Sequence, residues 1–460
     1  MLRFGIPTVP QTKDRNMTNA KAPQVTTLPN GLRIVVDERP GSGFVNMGLY
    51  LMYGNMDDPQ GLEGLSCMVG DMLMWGSPSY SRKNILDFCK NGNEIFVVTE
   101  TEHTHFMATV FPENLENALS IFTSVIQNPL LLQESLAYEK HMAMQNIKRS
   151  RENPKAVLAG LLKAIAFKDQ SVGRTASEES ISRITREHLA AQLEAFYVPS
   201  AMVLAISGDK DKESAIALAT KTLGTLPTKA APVRTAPIFV GGDSRLAQDR
   251  SQTGIRLAFP SPGINDSDRH AAIMLGQILG GSMDSRLFLE VREKRGLVYG
   301  ISASNLAMQH GGLFVVAAGT GDDAKAESKN IETMIPVICH ELLDTTRNIT
   351  PEELQRAQNS IRMSFAQANC SSASMCAFMG TTTLLAGQPR ERSESLRIYQ
   401  TVTPEDINRV AQRIFSAKPA FAAVGPLEGL PSYEEILRLM QKEPQKKTPD
   451  SPAPSMAPRS

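Results

Sequence analysis

A chain of 460 residues with one tryptophan, five cysteines and no net charge excludes several classes of function at once. Cys67, Cys89, Cys339, Cys370 and Cys376 are odd in number, widely spaced and never form a C-x-x-C pair. That pattern argues for a reducing compartment and against a disulfide framework. Lys and Arg total 48 against 48 Asp and Glu, so no field steers the chain to nucleic acid or to an acidic membrane surface. No long uncharged apolar run is present, so no direct membrane span is expected and any membrane association passes through a partner. The start, Met1 to Pro7, also lacks the apolar stretch of a secretory signal. Arg3, Lys13, Arg15 and Lys21 against the single acid Asp14 have the basic bias of a mitochondrial presequence, but Pro7 and Pro10 interrupt the helix such a signal forms. Residues 1–22 therefore read as a flexible N-terminal arm or a presequence.

What is present is a repeat. The chain is too long for one core and fits two domains. A capped helix from Thr185 to Tyr197 leads into Pro199 to Gly208, and a second from Thr403 to Phe415 leads into Pro419 to Gly425, offset by 217 to 218 residues. Threonine at the N-cap with an acid in the first turn starts both helices, and Pro404 suits the first helical position. The proline-spaced stretch 227–237 reads as a linker between domains at 23–226 and 238–441. Residues 442–460, rich in Pro, Ser and Lys, read as a disordered tail.

Strands and helices mix within each copy. Val25 to Leu28 and Leu32 to Val36 flank Pro29-Asn30-Gly31, and Asn-Gly supplies the positive φ angles of a tight hairpin turn. Val45 to Tyr53 reads as the next strand. Leu115, Leu119, Phe122 and Ile126 fall at helical spacing, as do Leu354, Ala357, Ile361 and Phe365. The expected fold class is α+β: two homologous domains, each a mostly antiparallel sheet packed with helices. Two lobes facing across a cavity, separable by proteolysis in the linker, follow from that reading.

Two groups of residues invite a chemical reading. Cys67 and Asp71 are four apart on a helix from Leu65 to Trp75, and that spacing stacks two side chains on one face, so both could reach one metal ion. Between them stands Gly70, which has no group to take a proton from a metal-bound water. The plainer reading makes Cys67 a small near-core residue and Asp71 a solvated acid. His103 and His105 alternate on a strand and so share a face, but no third donor accompanies them, and Glu100 and Glu102 beside them read as an exposed strand edge.

The run Gly64-Leu65-Ser66-Cys67-Met68-Val69-Gly70-Asp71 through Gly76-Ser77 has the shape of the inverzincin helix, whose active form carries His-x-x-Glu-His. With Gln24 to Leu32 and, above all, Leu279-Gly280-Gly281-Ser282-Met283-Asp284-Ser285-Arg286-Leu287 through Arg292 to Tyr299, the chain resembles the M16 (pitrilysin-type) metallopeptidase family and its short two-domain members. The resemblance runs from about Pro23 to about Gly429. It implies that Cys67 and Asp71 stand where active members have zinc-binding histidines, Gly70 where they have the general base, and Asn146 where they have a third ligand, a glutamate. A neutral amide is a poor zinc donor. The resemblance also implies that Arg292 and Tyr299 reach a substrate carbonyl, leaving a residual substrate-binding role. The alternative for that pair is structural, Arg292 in an ion-pair network and Tyr299 in the core. Where active members show Asn-Ala on the strand that holds substrate backbone, this chain reads Glu94-Ile95-Phe96-Val97-Val98.

What the resemblance implies is therefore a subunit without catalysis, metal or cofactor, retained for its surfaces. Its expected partner is a homologous M16 subunit. The leading expectation is a core subunit of complex III on the matrix side of the mitochondrial inner membrane, beside that complex's membrane subunits. The alternatives are a processing-peptidase subunit that binds presequence peptides, which in that family carries a long glycine-rich loop where this chain has only Gly280-Gly281, and the inactive partner of a two-chain bacterial peptidase.

Overall fold

The computed structural model of the chain describes residues 24–320 and 324–441, with backbone alone for 324–330. The expected N-terminal arm at 1–22 and the tail at 442–460 lie outside the described residues. β1 (Val25–Thr27) and β2 (Arg33–Glu38) form the first hairpin, with Thr27 opposite Arg33. Its turn differs from the expected one. Gly31 takes φ 91°, in the left-handed region, but Asn30 does not share it. Asn30 is instead buried: its Oδ1 accepts from the Leu32 N–H at 3.2 Å and its Nδ2 donates to the Leu223 and Leu226 carbonyls at 2.9 and 3.2 Å. A long-range tie thus replaces the local φ requirement.

β3 (Val45–Leu51), β4 (Glu94–Thr99), β5 (Thr104–Val110) and β6 (Met202–Gly208) complete a six-stranded sheet in the order β1-β2-β6-β3-β5-β4. Only the β2–β6 pair is parallel. β7 (Gly242–Ala247), β8 (Gly254–Pro260), β9 (Gly300–Ala307), β10 (Gly312–Gly319) and β11 (Ala420–Gly425) form a second sheet in the order β7-β11-β8-β10-β9, again with one parallel pair, β7–β11. Strand for strand the second sheet repeats the first, with no counterpart of β1 among the described residues. Five α-helices separate β5 from β6, and five separate β10 from β11. The α+β class and the paired, mostly antiparallel sheets are as the sequence pattern predicts.

Every residue of β3 and β6 is buried, because both faces of the sheet centre are covered. One face packs on helices of its own half, where Leu119, Phe122 and Ile126 of the helix Leu115–Gln127 join Met47, Leu49 and Leu204. The other face is covered from the far half of the chain. Cys376, Met379, Leu384 and Leu385 of the helix Ser372–Ala386 pack on Val35, Tyr50, Met107, Val203 and Ala205. Gly380 lets that helix approach, since a methyl group there would overlap the Tyr50 ring. The exchange is reciprocal. Leu158, Leu162 and Ala166 of the helix Pro154–Ala166 pack on Ala258, Val315, Ala420, Ala422 and Val424 of the second sheet.

The lobes are therefore interlocked, and separable halves are not what this packing provides. The segment 227–237 has no helix or strand, yet Arg234 within it is nearly buried in a two-pronged ion pair with Asp57. Cleavage within 227–237 is expected to leave the two pieces associated in gel filtration, and the nicked protein to melt in one transition. Leu158→Ala and Met379→Ala, each hollowing an exchanged contact, should each cost about 2–5 kcal/mol in denaturant melts. Two independently melting halves, with each substitution affecting only one of them, would contradict the interlocked arrangement.

Candidate functional site

The helix Leu65–Leu73 is fixed at both ends by groups outside it. Its N-cap, Gly64, takes φ 97° and has no side chain to offer. Asp58 supplies the cap from six residues upstream: its two carboxylate oxygens accept from the Gly64 and Ser66 N–H groups at 2.7 and 2.8 Å. Such bonds satisfy donors that a helix N-terminus leaves open. Asp58 is only 3% exposed, and burial outweighs the two bonds, lifting its carboxyl to about 7. Leu65, Met68, Val69, Met72 and Leu73 anchor the helix in the first core. Past its end, Trp75 donates through Nε1 to Glu139 at 2.7 Å, joining this turn to the long helix Gln133–Glu152.

On that frame the motif positions are placed as follows. Cys67 is half-buried, its Sγ bonded to Asn55 Oδ1 at 3.3 Å. Burial, then the charges of Asp58, Asp71 and Glu100, pushes its thiol up to about 12. Asp71 is open to solvent but ringed by protein, so it lines a recess, and this confinement, with Glu139 adding like charge, raises its carboxyl to about 6. It is not the freely solvated acid of the plainer sequence reading. Beneath them lie Tyr53 and Tyr197, with ring centroids 5.8 Å apart and both hydroxyls buried without a hydrogen-bond partner. Gly70 faces β4: a Cβ there would meet Val97 Cγ2 at 3.2 Å and Thr99 Oγ1 at 3.4 Å. Asn146 is exposed further along its helix, where its side-chain oxygen accepts from Arg149.

His103 and His105 do share a face. Their rings lie 5.6 Å apart, and both stand beside Tyr50. Burial drives His103 down to about 4 and lowers His105 as well. Glu102 beside them is not part of an exposed edge: it is 8% exposed and accepts from the Gln309 N–H with both oxygens at 3.0 Å, bridging the two halves.

In the second half, the structural reading of Arg292 and Tyr299 does not hold. Tyr299 is 75% exposed, and Arg292, at the end of the π-helix Phe288–Glu293, approaches a carboxylate only at 4.0 Å, from its neighbour Glu293. Its guanidinium instead lies over Phe288 at 4.6 Å and near the Tyr299 ring at 5.9 Å. An exposed aromatic beside a cation is available to a ligand. The buried arginine of this signature is Arg286, bound to Asp344 at 2.8 Å, to Glu353 at 2.5 Å and to the Asn348 carbonyl. Nothing in the residue spacing distinguishes the two arginines; only packing does.

A zinc ion of the metallopeptidase type does not fit these residues. Zinc takes a deprotonated thiolate, and burial beside Asp58, Asp71 and Glu100 opposes that charge on Cys67, whose Sγ is instead bonded to an amide oxygen. Gly70 contributes no donor, and among the described residues no three His, Cys, Asp or Glu side chains converge to hold a metal.

Comparison with known proteins agrees with this architecture. The profile described as "Insulinase (Peptidase family M16)" matches residues 33–179, and that described as "Peptidase M16 inactive domain" matches residues 183–361. An uncharacterized zinc protease of Mycobacterium tuberculosis is 30% identical over 447 residues, covering 94% of this chain and 100% of its own length. Another, of Rickettsia felis, is 26% identical over 406 residues, covering 87% and 97%. A peptidase M16 inactive domain from Pseudomonas fluorescens superposes with a TM-score of 0.80 at 22% identity, over 89% of this chain and 99% of its own. A chain of complex III from Candida albicans does so equally, with a TM-score of 0.80 at 17% identity, over 91% and 99%. The paired sheets and the two matching profiles thus define a protein with the architecture of the M16 peptidases. The chain belongs to the M16 peptidase family.

Two expectations follow from the geometry. Gly70→Glu should leave peptide hydrolysis at background and lower the melting temperature, because the added side chain crowds Val97 and Thr99; chelator-sensitive hydrolysis by this variant would contradict the reading. The second concerns pH. Asp58 binds its proton more tightly folded than unfolded, so its contribution to stability is fullest below its ordinary carboxyl value and is lost as pH rises from about 4 to about 7. The stability of the parent protein relative to Asp58→Asn should therefore decline over that window in melts at several pH values, and a rise would refute the assignment.

Proposed function

We propose that this chain is a non-catalytic M16 subunit that works in an obligate hetero-oligomer with a homologous, catalytically equipped chain. The observation that carries the reading is Gly70. At the position between Cys67 and Asp71 where a proton acceptor is required, the backbone packs against Val97 and Thr99 and leaves no group to activate water. The wall of the recess is otherwise kept, with its helix capped by Asp58 and tied to Glu139. The half-buried Arg292 and the exposed Tyr299 remain available for binding.

The bacterial relatives, matched over nearly the whole chain and named zinc proteases, support the inactive partner of a two-chain peptidase. They favour it over a core subunit of complex III or a mitochondrial processing-peptidase subunit, and they give no support to a mitochondrial location. The likeness to a complex III chain is a likeness of fold. No helix among the described residues is long and apolar enough to cross a membrane.

Purification of the tagged chain from its own cells in mild detergent is expected to bring down a second M16 chain with an intact His-x-x-Glu-His motif. The isolated chain should carry less than one zinc per molecule by elemental analysis and cleave no peptide. Stoichiometric zinc with chelator-sensitive hydrolysis would overturn the non-catalytic reading. A preparation with b- and c-type haem spectra would replace the peptidase partner with complex III.

A further inference from the structure

In the second half, far in sequence from the recess, lies a pair of arginines that no carboxylate among the described residues neutralises. Arg269 opens the helix Arg269–Gly280, and one of its terminal nitrogens sits 2.8 Å from His270 Nε2. Its Nε is buried and has no hydrogen-bond partner. Arg390, in the turn before the helix Arg392–Thr401, donates to the Ile264 carbonyl at 2.6 Å and lies 3.4 Å from Asn265 Oδ1. The Tyr399 ring closes the group against His270, with centroids 4.8 Å apart at 80°.

The nearest acids in sequence are already committed. Asp266 accepts from Arg413, and Asp268 from both Arg409 and Arg413, at 2.7 to 3.0 Å. Among the described residues neither Arg269 nor Arg390 has a salt bridge. Like charge accumulates as a result: burial, then Arg269 and Arg390, drives His270 down to about 4. A buried charged donor without an acceptor is costly, and guanidinium forks match the oxygen geometry of phosphate.

We propose that Arg269 and Arg390 form a binding site for a small dianion of the phosphate type, seated between the start of the helix Arg269–Gly280 and the turn at Arg390. The dianion supplies the acceptor that Arg269 Nε lacks and the negative charge absent from this cluster. It can be a free phosphate ion or the phosphate group of a small metabolite, and it joins the segment around Ile264 to the helix Arg392–Thr401. The site is independent of the recess around Cys67 and of the proposed loss of catalysis.

The test uses the full chain, titrated calorimetrically with inorganic phosphate and separately with glycerol 3-phosphate, against sodium chloride at matched ionic strength. Saturable binding of one or both, absent with chloride, is expected, and the arm that saturates at lower concentration identifies the source. Arg390→Gln and Arg269→Gln should each weaken binding about tenfold or more, the loss of one charge-assisted contact. Arg397→Gln, exposed on the helix that follows Arg390, should leave it unchanged. Arg390 is the more accessible of the two, so Arg390→Gln carries the test if Arg269→Gln fails to fold. No saturable binding, or equal binding by the parent and Arg390→Gln, would overturn the proposal.

Discussion

The exchange of one helix between the two halves is the constraint on which the rest of the molecule depends. A sheet with two apolar faces must cover both, and each half supplies helices for only one. The helix Pro154–Ala166 completes the second sheet and the helix Ser372–Ala386 completes the first. Neither sheet centre is sealed by its own half. The close approach at Gly380, the Glu102–Gln309 contact and the Asp57–Arg234 pair all lie along this interlock. They hold the helix Leu65–Leu73 and the turn near Arg292 on bodies that cannot drift apart.

That constraint explains how the helix Leu65–Leu73 keeps its place independently of the chemistry its outer positions carry. The apolar residues Leu65, Met68, Val69, Met72 and Leu73 anchor it in the core, while Asp58 and Glu139 fix its ends from outside. Cys67 and Asp71 are less deeply placed than these anchors, so their identities can change without unseating it. Gly70 has gone further, since the space that a larger side chain would need is taken by Val97 and Thr99. The second half shows the same division. Arg286 is bound into the fold by Asp344 and Glu353, while Arg292, six residues on, is left facing solvent beside Tyr299.

Much of the fold is legible in the chain because its signals are local. Thr185 and Thr403 cap their helices through the bonds that their sequence contexts predict, accepting from the His188 and Asp406 N–H groups. The largely apolar runs of β3 and β6, interrupted only by Asn46 and Ser207, announce strands buried on both sides. Where local reasoning failed, a distant partner had intervened. Asn30 gave up a turn conformation to bond Leu223 and Leu226, and Glu102 left the expected strand edge for Gln309.

By itself the sequence determined the α+β class, the doubled topology and the absence of a proton acceptor at position 70. Each follows from periodicity, spacing or residue type, which need no knowledge of neighbours. Only the tertiary structure decided that the halves trade helices, that Tyr299 is exposed and Arg286 buried, and that Arg269 and Arg390 stand together without a counter-charge. The helices Pro154–Ala166 and Ser372–Ala386 carry enough apolar surface for either sheet, and which one they cover is set by chain reversals outside them. Burial and charge pairing depend on residues as far apart as 58 positions at Arg286 and 207 at Glu102, and those distances close only when the chain packs.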